Sequence, residues 1–188
     1  GVPPPNDGLG AGTDAHHCVL SGEALRAAQA GYFGLINHLD DQISTLISEF
    51  KARSARSGRP WLIVITSDHG EMLGDHYYFR KCEPYEGSSR IPFLIQGSPH
   101  LELASGMTSD QPVALEDLMP TFLELAGVDV PAGVEGQSLV PLLRGRDQTV
   151  RDVLHAEHSP CYGNEQAYQL LTDGRMKYVW RPVDGSEQ

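Results

Sequence analysis

Three cysteines, Cys18, Cys82 and Cys161, are all that 188 residues contain. At least one must stay unpaired within the chain, so there is no disulfide framework. None has C-x-x-C spacing, which argues against a structural zinc site. Positive charge is short as well: 14 Lys and Arg stand against 25 Asp and Glu, for a formal net charge of −11. That balance disfavours a nucleic-acid partner, while a local basic pocket for an anion stays compatible with it. No apolar run is long enough to span a bilayer, and the first residues lack a secretory signal pattern. Internal repeats and low-complexity segments are missing too. The remainder, 40% hydrophobic and 21% charged, is ordinary for one globular domain with a core.

The rest of the chain is organised around Trp61-Leu62-Ile63-Val64-Ile65-Thr66-Ser67-Asp68-His69-Gly70. An apolar run rich in β-branched residues predicts a strand buried on both faces. It stops in a polar cluster that cannot continue a core. Ligands of open α/β sheets bind at the carboxyl ends of such strands. Asp68 offers a hard oxygen and His69 a nitrogen, so the pair could hold a divalent cation. Alone, Asp-His-Gly fits an Asx turn closed by glycine equally well.

Residues 1–20, rich in Pro, Gly and Asp, predict irregular structure. His16-His17 there has no ligand-spaced companion and reads as an exposed loop pair. Over 21–57, Leu25, Ala28, Tyr32, Leu35, Leu39, Ile43, Leu46 and Phe50 recur at spacings of three and four. This predicts a helix whose apolar stripe covers a sheet, with Ser21 as N-cap, Gly58 and Pro60 as the stop, and Gly31 and Gly34 as places to bend. Residues 71–90 form a polar loop with His76, Arg80 and Lys81 clustered in it. Lys81 there could snorkel to water or contact an anion. Residues 91–96 predict a second buried strand with Pro92 near its start. A short apolar helix follows over 115–126, with Pro120 near its first turn and Gly127 closing it. Ser138 caps another that ends at Gly145. Strands are expected at 153–157, 168–172 and 176–181, with Asp173-Gly174 as a hairpin signal between the last two. His155 and His158 read as strand-end packing without a chemical role.

Together S-D-H-G-E at 67–71, L-G-D-H at 73–76, K-x-x-x-Y-E-G at 81–87 and R-x-P at 90–92 resemble the C-terminal half of the sulfatase family, in the alkaline-phosphatase-like superfamily. D-L-M-P-T-F-L-E-L-A-G-V at 117–128 and G-Q-S-L-V-P-L-L-R-G at 136–145 resemble its scaffold. The resemblance implies an α/β fold, a mostly parallel sheet sandwiched by helices, present in part. Residues 1–150 would belong to that domain and 151–188 would open a small antiparallel subdomain. It also implies metal ligation by Asp68 and His69, with Ca²⁺ expected and Mn²⁺ or Mg²⁺ open. Lys81, with His76, would contact the substrate sulfate, and Arg90 would pair with Glu86.

Two parts of the family pattern are missing from the sequence. The nucleophile motif C-x-P-S-R or S-x-P-S-R, whose first residue becomes formylglycine, does not occur; Cys82-Glu83-Pro84 has Tyr85 and Glu86 where Ser and Arg belong. The early paired-Asp ligands are also missing, and Asp40-Asp41 reads as solvated helix charge. The chain therefore looks cut at both ends, before the proline-rich stretch at 2–5, where the family's His-Pro segment would stand, and before an L-F-D-L strand beyond 188. The expectation is a sulfate-ester hydrolase as the whole protein, acting on a small-molecule or carbohydrate sulfate, and an inactive portion here. A phosphonate or phosphodiester hydrolase and a non-catalytic binding domain are the alternatives. Members of the family that the chain resembles are often periplasmic, extracellular or lysosomal, while composition and cysteine usage do not decide its compartment.

Overall fold

A computed structural model describes residues 19–146, 148–160 and 164–188. The irregular start expected up to residue 18, His16-His17, Cys18 and Cys161 lie outside the described residues. Two compact units emerge. One combines the long helix with His69–Pro92, and the other combines Pro60–Asp68 with Phe93–Gln188. Residues 151–188 lie in the second of these units.

In the first unit, helix α1 spans Gly22–Ser57 and runs unbroken through Gly31 and Gly34. Ser21 is extended at the N-cap position, but its hydroxyl makes no capping bond. Gly58 ends the helix in the left-handed conformation at φ 65°, and its N–H donates to Ser54 O at 2.9 Å. Only glycine takes that conformation without a side-chain penalty. The expected covering role does not show in burial: no residue of α1 is buried, and Leu35 and Leu46 are each 69% exposed. Its early turns do meet the loop that follows His69. Gln29 Nε2 donates to Leu73 O at 3.3 Å, and a Cβ on Gly74 would meet Leu25 Cδ1 at 2.7 Å.

In the second unit, β1 (Leu62–Thr66) pairs with β2 (Phe93–Gly97) in antiparallel register, Leu62 opposite Gly97 and Thr66 opposite Phe93. Ser98 locks the open end, its hydroxyl accepting Trp61 N–H at 3.0 Å and its N–H donating to Trp61 O at 2.8 Å. Both strands lie where the apolar runs place them. One expectation changes, however. All five β1 residues are half-buried rather than buried on both faces, because β2 is the one strand paired with it among the described residues. Every described strand pair is antiparallel, so the parallel pairing expected for most of the sheet is not among them.

A 3₁₀ turn at Leu115–Asp117 leads into α3 (Leu118–Leu125), and Gly127 follows at φ 69°. The short α2 (Glu86–Ser89) lies in the first unit, and α4 (Val140–Leu143) in the second. Ser138 Oγ accepts Val140 N–H at 3.2 Å ahead of α4. Asp117, with none of its side chain exposed, ties these pieces together. Its Oδ2 accepts Ala114 N–H at 2.8 Å and Arg151 Nη1 at 2.7 Å. Its Oδ1 accepts Gln137 N–H at 2.8 Å and Arg151 Nη2 at 2.5 Å. Four donors on two oxygens satisfy a buried carboxylate fully. Burial pushes the Asp117 carboxyl up, but the Arg151 guanidinium and the two backbone N–H groups outweigh it and hold the group below the ordinary aspartate range. Thr121 adds a second tie: its hydroxyl donates to Asp117 O at 2.6 Å and accepts Leu139 N–H at 2.9 Å.

The C-terminal sheet is a meander, β3 (Leu154–His158), β4 (Tyr168–Thr172), β5 (Lys177–Arg181) and β6 (Ser186–Glu187), in that order. Alternation buries Tyr168, Leu170 and Val179 on one face and exposes Leu171, Tyr178 and Trp180. Asp173 Oδ1 accepts Arg175 N–H at 2.8 Å and Met176 N–H at 2.7 Å, while Gly174 turns at φ 87°. His158 stacks on Tyr168 with ring centroids 5.3 Å apart, and His155 Nε2 lies 3.3 Å from Gln169 Oε1. The antiparallel end is as expected, apart from β6, whose two residues the sequence reading treated as a cut edge.

Candidate functional site

Asp68 is exposed two residues past the carboxyl end of β1, with Ser67 Oγ 3.4 Å from its Oδ1. His69 opens the other unit's second segment. Its Nδ1 lies 2.9 Å from Gly70 O. A carbonyl oxygen can only accept, so Nδ1 is the donor in this contact. The Asp68 carboxylate and the His69 imidazole are each residue types that divalent cations take as ligands. Among the described residues, no group of three or more His, Cys, Asp or Glu forms a further metal cluster. Asp40 and Asp41 lie exposed on α1.

From Gly70 the chain enters a loop held by its own backbone. Gly70 N–H donates to Ser88 O at 2.8 Å. A Cβ on Gly70 would lie 2.1 Å from Gly87 O, and one on Gly87 would lie 3.2 Å from Glu71 O. The glycine of the S-D-H-G-E motif and that of the Y-E-G motif therefore pack backbone on backbone. Met72, at 1% exposure, is the apolar plug beneath them. Met72 N–H donates to Arg80 O at 2.7 Å and Gly74 N–H to Tyr78 O at 2.7 Å, drawing 72–80 into a closed loop.

Five non-glycine residues in this loop have left-handed backbone: Leu73 (φ 50°), His76 (52°), Tyr77 (65°), Arg80 (71°) and Cys82 (77°). Such residues are uncommon and cluster at functional sites. His76 stacks flat on Tyr85, with centroids 4.1 Å apart at 13°. Lys81 is half-buried and leads into the buried run Cys82, Glu83 and Pro84. Ser88 Oγ accepts Glu83 N–H at 3.3 Å. Arg90 lies 3.7 Å from Glu86 across one turn, as expected, with both side chains largely exposed.

His69, His76 and Lys81 thus share one unit, and Asp68 belongs to the other. Two contributors escaped the sequence reading. Tyr85 was noted only as a motif letter, yet its ring seats His76. Glu71 was noted in the same way, yet its Oε1 accepts N–H from Leu73 at 3.1 Å and from Arg80. A signal for Glu71 was available. A carboxylate beside a turn-rich loop invites the question of where that loop's N–H groups go.

Solved structures similar to this chain carry the alkaline-phosphatase-like fold. A phosphonate monoester hydrolase from Silicibacter pomeroyi matches with a TM-score of 0.74 at 29% identity, over 88% of this chain and 35% of that one. A structure described in complex with its substrate D-glucosamine-2-N,6-O-disulfate matches with a TM-score of 0.71 at 25% identity, over 90% of this chain and 36% of that one. The sulfatase family profile matches residues 15–128. An arylsulfatase of Clostridium perfringens is 38% identical over 171 residues, 90% of this chain and 34% of the relative. The chain belongs to the sulfatase family. It spans about a third of the length of that arylsulfatase. No helix among the described residues is long and apolar enough to cross a membrane.

Proposed function

We propose that this chain is the C-terminal portion of a metal-dependent sulfatase and carries the metal-facing and sulfate-facing side of its site. In this reading Asp68 and His69 are metal ligands, and Lys81 with His76 contacts the sulfate group of a small-molecule or carbohydrate ester. Residues 1–150 belong to the catalytic domain, and 151–188 open the antiparallel subdomain. The observation that carries the reading is the sulfatase family match over residues 15–128, a span that contains Asp68, His69, His76 and Lys81.

Sulfate-ester cleavage needs a nucleophile, charge stabilisation on the sulfate oxygens and protonation of the leaving alcohol. A divalent cation, Ca²⁺ in this reading and Mn²⁺ or Mg²⁺ as substitutes, supplies charge neutralisation when bound. The Lys81 ammonium adds a second positive contact to the sulfate oxygens, and the His76 ring, seated on Tyr85, adds an N–H donor or a proton. The nucleophile, a formylglycine by family pattern, lies outside this chain. The chain alone is inactive in consequence.

The match to a phosphonate monoester hydrolase supports a second reading, in which the same groups hold a phosphoryl centre. Paired aryl sulfate and aryl phosphonate esters separate the two when given to the full-length protein. Preferred turnover of the sulfate, lost in Asp68→Ala and Lys81→Ala but kept in Asp40→Ala, supports the sulfatase. Preferred turnover of the phosphonate rejects it, and no turnover of either ester points to a binding domain on this scaffold.

A further inference from the structure

We infer that Glu71 is a positioning residue for Lys81: its carboxylate fixes the backbone turn from which Lys81 departs. This rests on the reading of Lys81 as a sulfate contact. One oxygen of Glu71 accepts two N–H groups, Leu73 at 3.1 Å and Arg80 at shorter range. Both donors belong to residues with left-handed backbone, at φ 50° and 71°. Non-glycine residues in that region are strained and persist only where surrounding bonds over-determine them. An acceptor oxygen at this reach supplies two such bonds, one to each strained residue.

The Arg80 peptide is gripped from both sides, since its carbonyl also accepts Met72 N–H at 2.7 Å. Lys81 is the next residue, so the direction in which its side chain leaves the loop follows from a unit locked at N–H and C=O. On the far side the chain is held too, with Cys82, Glu83 and Pro84 buried. Fixing the root sets the Cα–Cβ direction of the lysine and so the region that its flexible four-carbon stem can sweep. Glu71 itself needs no contact with substrate to do this.

The test uses the full-length metal-loaded protein, with inorganic sulfate as competitive inhibitor and an aryl sulfate as substrate. Lys81→Ala comes first. Unchanged sulfate inhibition in that variant overturns the reading of Lys81, independently of Glu71. If inhibition weakens, Glu71→Ala should weaken it too and lower kcat/KM by about 10- to 100-fold, the loss typical of a misplaced group. In the Lys81→Ala background, Glu71→Ala should weaken sulfate binding little further. Glu71→Gln keeps an acceptor oxygen at the same reach and should stay close to the parent. Glu71→Asp keeps the charge but falls one methylene short, so it should resemble Glu71→Ala; it also serves where the alanine variant does not fold. Additive losses from Glu71 and Lys81, or a Glu71→Gln variant as impaired as Glu71→Asp, would overturn the inference.

Discussion

The carbonyl oxygen of Gly87 occupies space that any side chain on Gly70 would need, 2.1 Å from the position of its Cβ. Two motif glycines 17 positions apart are thus one structural element, the floor on which the His76 and Lys81 loop stands. Gly70→Ala should therefore destabilise the protein by about 2–3 kcal/mol, the scale of an overpacked core. Gly133→Ala meets open space and should change stability by less than about 0.5 kcal/mol. Urea midpoints of the two variants provide the comparison.

Arg151 and Asp117 should behave as a pair. Removing the guanidinium in Arg151→Ala leaves a buried carboxylate short of two donors, a loss of about 3–5 kcal/mol. The carboxyl of Asp117 is held below the ordinary aspartate range in the folded chain. Its contribution is thus complete above the unfolded-state value and is lost as pH falls through the lowered folded value. Acid titration of unfolding should show a steeper fall in that window for the parent than for Asp117→Asn. Equal slopes would show that another group governs acid stability.

Gly34 lies within α1 with nothing near its Cβ position. Gly34→Ala should raise stability by about 1 kcal/mol, the helix-propensity difference between the two residues. Thermal unfolding measures this directly, and a lowered midpoint would mean that the position packs against something.

Metal binding separates a partial shell from a complete one. By calorimetry, the 188-residue chain should bind Ca²⁺ or Mn²⁺ weakly, with little thermal stabilisation, because water must fill most of the coordination sphere. The full-length protein should retain its metal, Asp68→Ala should lose it, and Asp40→Ala should keep it. Tight stoichiometric binding by the chain alone would place the site elsewhere.

Local patterns explain what was legible in the sequence. The ends of α1 follow from Gly58 and Pro60, β4 appears at 168–172 as expected, and Arg90 meets Glu86 one turn away. Membership of the sulfatase family was legible in the spacing of the S-D-H-G-E, K-x-x-x-Y-E-G and R-x-P motifs. What could not be read depends on partners distant in sequence. Asp117 and Arg151 are 34 residues apart and share no periodicity. Glu71 could be suspected from its place beside a turn-rich loop, but which N–H groups it binds could not be read, since nearly every residue carries one. The antiparallel run of β2 beside β1 was hidden for a similar reason, since a buried apolar run shows a strand without its direction.

Gln29 reaches Leu73, 44 positions further along, and this sets an order on synthesis. At about 5–20 residues per second, the loop trails the first turns of α1 by several seconds. A helix of 36 residues exceeds the roughly 12–15 below which isolated helices are marginal, so α1 can form while it waits. Its apolar stripe is then presented on a nascent chain, and stays exposed in the folded units, where no residue of α1 is buried. Exposed apolar surface on an unfinished chain is aggregation-prone, so the yield of folded protein should depend on chaperones more than the size of this chain alone would suggest.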